Sequence, residues 1–115
     1  MKIKMTEPAQ LQYNALLNAA LEANKKRQSD SAPKKFSHQE KHFKTVLKTL
    51  ELMQMNIRHP NLETHKYDEY QNPFDASKPV FEAYVQNNTP GAYRVFWVYG
   101  PKNDEITILA ITPHP

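Results

Sequence analysis

The sequence predicts an α+β two-layer domain: an N-terminal helical hairpin packed on one face of a mainly antiparallel β-sheet. Three observations carry this expectation. Apolar residues recur at helical spacing through the first half, as in Tyr13, Leu16, Leu17, Ala20 and Leu21 and again in Phe43, Val46, Leu47, Leu50 and Met53. After about Leu62 the period falls to two, and β-branched and aromatic residues take over. The turns between the later runs are short and built from Pro, Gly, Asn and Asp, which suits antiparallel hairpins.

The elements follow in order. Lys2 to Met5 is a candidate short strand. Thr6 is a suitable N-cap, with Glu7 and Pro8 in the first turn, where a negative charge and a missing N–H both favour a helix start. That helix is expected to run to about Lys26, and the polar, Pro33-containing stretch from Gln28 to Lys35 is a loop. Ser37-His38-Gln39-Glu40 has the spacing of a capping box, so a second helix should begin there. It should end before His59-Pro60, because proline disfavours helix at the residue before it. Leu62 to Tyr67 alternates as a strand, and Asp68 to Lys78 reads as a loop. Val80 to Gln86, Ala92 to Tyr99 and Glu105 to Thr112 read as a three-stranded antiparallel meander, turned at Pro90-Gly91 and at Gly100 to Asp104.

At 115 residues the chain is expected to form a single domain, residues 1–115, with a modest core. It has no cysteine, which excludes disulfides, thiolate metal sites and cysteine nucleophiles and fits a reducing cytoplasm. No stretch is long and apolar enough to span a membrane, and the first residues lack a secretory pattern. A net charge of +3 permits a nucleic-acid or acidic-protein partner without requiring one. Basic residues gather at Lys25-Lys26-Arg27, Lys34-Lys35 and Lys41 to Lys48, and each run also reads as an ordinary solvated helix face.

Chemistry concentrates in the second half. Arg94 lies inside a predicted strand, where an unpaired cation would be costly. It is a bidentate phosphate ligand, the partner of Glu82 on the neighbouring strand, or a side chain snorkelling at a sheet edge. His114 follows the last strand between Pro113 and Pro115, and an imidazole there can serve as a general acid or base near neutral pH, or be a chain-end residue without a role. Alternation sends His65 and Tyr67 to one face and Lys66 to the other. Lys66 is suited to contact phosphate and Tyr67 to stack on a base, although a polar edge strand explains both. Glu82 and Tyr84 share a face, with Glu82 a candidate general base or a plain ion-pair partner. His38 and His42 have a helical metal-ligand spacing but no evident third ligand, so no metal site is expected.

Gly91-Ala92-Tyr93-Arg94-Val95-Phe96-Trp97 resembles the Gly-x-Tyr-Arg-apolar-x-aromatic strand of the RelE/ParE superfamily, the toxins of type II toxin–antitoxin systems. Ile108 to His114 is similar to that family's last strand and its basic or histidine-bearing tip. Asn56 to Tyr67 looks like its link from second helix to second strand. The likeness covers the chain from about Phe43 onward and is looser before it. It implies a cytoplasmic toxin that acts as a ribosome-dependent mRNA endonuclease, with Arg94 on the scissile phosphate, His114 moving the proton, and Lys66, Tyr67, His65 and Glu82 around the substrate. It implies no cofactor and no metal, since the ribose 2′-hydroxyl is the nucleophile. The implied partners are an antitoxin, the ribosome and mRNA. Two alternatives on the same fold stay open: a ParE-like inhibitor of DNA gyrase that is not an enzyme, and an inactive interaction module.

Overall fold

Both helices begin where the local chemistry directs. In the computed structural model, which describes residues 1–29, 35–86 and 92–113, the chain runs β1 (Lys2–Met5), α1 (Glu7–Ser29), α2 (His38–Met55), a 3-10 turn (Pro60–Leu62), β2 (His65–Lys66), β3 (Phe81–Tyr84), β4 (Tyr93–Tyr99) and β5 (Glu105–Pro113). Thr6 Oγ1 accepts the Ala9 N–H at 3.3 Å, the expected N-cap bond. Ser37 and Glu40 form the capping box in both directions, with Glu40 N–H donating to Ser37 Oγ at 3.1 Å and Ser37 N–H donating to Glu40 Oε1 at 3.2 Å. The first helix continues past the expected stop at Lys26 to Ser29, because Arg27 is held by the second helix rather than left to fray.

Among the described residues the strands form one five-stranded sheet in the order β1-β5-β4-β3-β2. The predicted meander is present as β3, β4 and β5, all antiparallel, while β1 runs parallel to β5 at the edge. The strand expected from Leu62 is much shorter. Pro60 to Leu62 closes a 3-10 turn, Glu63 takes left-handed dihedrals (φ 48°, ψ 39°), and only His65 and Lys66 pair with β3. The alternation in that segment comes from a turn that buries Leu62, not from a long strand.

The helices cover one sheet face. Ala9, Val46, Leu50 and Met53 meet Ala83, Val95, Trp97, Ile106, Ile108 and Ile111 in the main core. Period two would send Ile111 to the other face, yet it joins Ile106 and Ile108. A bulge between β4 and β5 makes the difference: Phe96 stands opposite Ala110 and Trp97 opposite Ile108, so Leu109 is the extra residue. Helix α1 satisfies the backbone groups that the bulge frees. Gln12 Oε1 accepts the Ile111 N–H at 2.7 Å, and Thr6 Oγ1 donates to the Leu109 carbonyl at 3.1 Å. The β4–β5 turn uses Gly100 at φ +103°, a conformation other residues rarely adopt.

The hairpin's outer end is tied by polar contacts. Arg27 and Asn24 both reach Glu40, at 3.1 and 3.2 Å, and the Arg27 guanidinium lies 4.5 Å above the Phe36 ring. The Arg27 hydrogen bond, helped by those of Asn24 and Ser37, lowers the Glu40 pKa to about 2.

Candidate functional site

The face opposite the helices carries the polar residues. Cross-strand register places them in two adjacent rows: His65, Glu82 and Phe96 in one, Tyr84, Arg94 and Thr112 in the next. The side chains converge on Glu82. Its Oε1 lies 3.1 Å from His65 Nε2 and 3.8 Å from Arg94 Nε. The carboxylate is 1 % exposed and the Arg94 side chain 9 %, so this is a buried charge cluster and not a surface salt bridge.

Each member is oriented by a further contact. The Arg94 guanidinium stacks on the Tyr84 ring at 3.8 Å, and Nη1 donates to the Gln86 and Tyr93 carbonyls at 2.6 and 3.0 Å. Among the described residues Nη2 makes no hydrogen bond, so it is the edge left for an anion. His65 Nδ1 meets the Glu63 carbonyl at 3.0 Å, and its ring stands edge-on to Tyr84. Both His65 nitrogens therefore lie close to oxygens, Nδ1 to the Glu63 carbonyl and Nε2 to the Glu82 carboxylate. The left-handed Glu63 aims its carbonyl at His65, so the 3-10 turn takes part in building the cluster.

The segment from Tyr67 to Val80 folds over the same face beside the cluster. Tyr67 and Tyr70 pack on Phe96 with ring centroids 4.9 and 5.7 Å away, closing a second, smaller core with Val80, Val98 and Leu109. Buried Asn72 braces the loop by accepting the Phe74 and Asp75 N–H groups. Burial, followed by the hydrogen bond to Glu69, pushes the Tyr67 phenol pKa up. This loop leaves Tyr67 half-buried under its neighbours, as a wall of the site.

Of the residues expected at a site, the structure brings together Arg94, Glu82 and His65, with Tyr67 alongside. Lys66 is out of step with them: it stands opposite Phe81, whose ring stacks on Trp97 on the helix side. His114 lies outside the described residues. Tyr84 as the platform under Arg94 was missed. Its signal was present, since it shares a face with Glu82 and Arg94 needed a partner, but the register that sets it opposite Arg94 is not written in a single strand. His38 and His42 stack at 6.0 Å, and burial, then the charge of His38, lowers the His42 pKa. Among the described residues no three acidic or histidine side chains gather as metal ligands, and no helix is long and apolar enough to cross a membrane.

No protein-family model matches the sequence, and no curated protein does. Solved structures do match in fold. A YoeB/ParE toxin from Agrobacterium tumefaciens superposes with a TM-score of 0.59 at 7 % identity, over 100 % of both chains. YoeB from Staphylococcus aureus, solved as a dimer, gives 0.55 at 13 % identity over 100 % of this chain and 98 % of its own. The archaeal RelE of a RelE–RelB complex from Pyrococcus horikoshii gives 0.52 at 17 % identity over 97 % of this chain and 92 % of its own. At such identities the likeness is one of fold.

Proposed function

We propose that this chain, built on the fold of the RelE and YoeB/ParE toxins, is the toxin of a type II toxin–antitoxin pair and cleaves mRNA on the ribosome. The observation that carries the reading is the cluster on the open sheet face in which buried Arg94 and Glu82 meet the exposed His65. A chain of this size gains little stability from burying two charges together, which argues that this pair serves binding.

The chemistry is a transesterification within RNA. A base removes the 2′-hydroxyl proton, the 2′-oxygen attacks the adjacent phosphorus, and the bond to the 5′-oxygen breaks as that oxygen takes a proton. The products are a 2′,3′-cyclic phosphate and a 5′-hydroxyl. Arg94, through Nη2, holds the phosphate and offsets the charge that grows on it. His114 accepts the 2′-hydroxyl proton, and His65, held by Glu82 and the Glu63 carbonyl, returns one to the leaving oxygen. Glu82 offsets the Arg94 charge when no substrate is bound. Tyr67 borders the substrate, and Lys66 adds positive potential from the sheet edge. The antitoxin is a partner that covers this face or displaces the C-terminal tail.

A second reading rests on Arg94 Nη1, which is committed to two backbone carbonyls. If all of Arg94 is structural, the chain is a gyrase inhibitor on the same fold. Expression without a partner, followed by mapping of mRNA 5′ ends in translating ribosomes and a gyrase supercoiling assay, separates the two. New 5′-hydroxyl ends with normal supercoiling are expected. Blocked supercoiling with intact mRNA would overturn the nuclease reading.

A further inference from the structure

A second pocket lies on the helix side of the sheet, at the far surface from the Glu82 cluster. It is a cavity of about 360 Å³ between the 3-10 turn and the ends of β3 and β4, within the size range of small-ligand sites. Its inner wall is aromatic. Phe81 stacks on Trp97 at 4.7 Å, and Tyr99 stands edge-on to both, at 5.5 and 4.8 Å. Tyr99 is 47 % exposed, so one ring of the group is open to a visitor.

The polar groups around this wall lack partners. Trp97 is 1 % exposed, and its indole Nε1–H has no hydrogen-bond acceptor among the described residues. Thr64 Oγ1, also buried, has no partner either. Buried polar atoms of this kind are rare and call for an explanation. At the rim, Arg58 is exposed and makes no ion pair among the described residues. His59 Nδ1 accepts the Asn61 N–H at 3.1 Å, which leaves the ring proton on Nε2 as a further donor. The rim is fixed in place: Asn56 Oδ1 accepts the Arg58 N–H, and Glu63 is held in a left-handed conformation that a residue with a Cβ adopts only under constraint.

The donor set selects the ligand. Trp97 Nε1, Arg58 and His59 Nε2 donate, while the Glu63 carboxylate on the same rim accepts, so the ligand must bring acceptors, one of them anionic and seated at Arg58, together with a donor, beside a flat ring that stacks on tyrosine. We infer that this pocket binds a nucleotide, with the base on Tyr99 and its acceptor edge toward Trp97 Nε1 and Thr64 Oγ1, and the phosphate on Arg58. Free nucleoside monophosphates and single-stranded RNA share that chemistry. The pocket is independent of the nuclease reading, because the two sites share only Glu63, whose carbonyl meets His65 on the other side.

Trp97 is the chain's single tryptophan, so its fluorescence reports on the pocket directly. The test is a titration of the whole protein with AMP and UMP, with adenosine and uridine as phosphate-free controls, and with a short oligouridylate. Saturable quenching by a phosphate-bearing ligand is expected. Arg58→Ala should weaken nucleotide binding ~10-fold, the loss of one charge-assisted contact, and leave the nucleosides unaffected. Tyr99→Ala should weaken all of them by about the same factor. Saturation by monophosphates identifies a free nucleotide as the ligand, and saturation by the oligouridylate alone identifies an RNA strand. Circular dichroism checks that each variant folds, and exposed Arg58 keeps the test decisive if Tyr99→Ala does not. Quenching that fails to saturate with every ligand, or that ignores both substitutions, overturns the inference.

Discussion

Arg94 holds two positions at once, and its substitutions should show both. The ring of Tyr84 below it, two carbonyls on Nη1 and Glu82 beside Nε make it part of the sheet. Arg94→Ala removes these contacts and leaves Glu82 short of a cation. It should lower stability by about 1–3 kcal/mol in urea unfolding while abolishing growth arrest. Arg94→Lys separates the roles: a lysine keeps a charge near Glu82 but cannot bridge two carbonyls and a phosphate from one flat group. It should recover part of the stability and little of the toxicity, and full toxicity would remove Arg94 from the chemistry. Sequence alone identified both partners, Arg94 and Glu82, but left ion pair and phosphate ligand as alternatives. The structure sets Arg94 Nε 3.8 Å from Glu82 Oε1 and commits Nη1 to two carbonyls, details that need side-chain geometry. His65 was legible as a polar residue on the right face. That the Glu63 carbonyl steers it was not, because this depends on a left-handed residue with no glycine to mark it.

At the scale of elements, the outer end of the hairpin depends on one carboxylate. Glu40 closes the capping box and receives Arg27 and Asn24. Its pKa is lowered from 4.5 to about 2, so the folded state prefers the ionised form. The sign follows from that direction. The stabilisation is complete above the unfolded value, and protons remove it as pH falls from about 4.5 toward about 2. Thermal unfolding followed across that window should show a fall in melting temperature that Glu40→Gln largely abolishes, and equal slopes for the two proteins would reject the role. Ser37→Ala should cost about 1 kcal/mol at neutral pH through the lost cap. Inside the core, Met53→Ala should cost ~2–5 kcal/mol, since Met53 is fully buried against the sheet. These elements were the most legible part of the chain, because a capping box and a helical period are local. The second strand was the least. Its apparent alternation belongs to the 3-10 turn, and two residues of pairing leave too little pattern to read.

For the whole molecule, the layer arrangement was legible from the change of period, and the sheet order only in its central three strands. Pairing of β1 with β5 joins Lys2 to Glu105 and Met5 to Ile108, a partnership across almost the full sequence that no local pattern announces. The segment from Tyr67 to Val80, of which Asp68 to Lys78 reads in sequence as a plain loop, roofs part of the open face through Tyr67 and Tyr70, because Phe96, Val98 and Leu109 require cover on that side. The parallel edge strand has a consequence for how the protein is made. Translation delivers β1 well before β5, so β1 must wait through the synthesis of both helices and the other strands for its partner, and both Thr6 and Gln12 wait for the bulge they satisfy. A nascent chain stalled after Tyr99 should therefore stay open to protease along its whole length, and one stalled with Pro113 clear of the ribosome should resist. If the proposed nuclease reading holds, activity would switch on only once β5 has emerged from the ribosome.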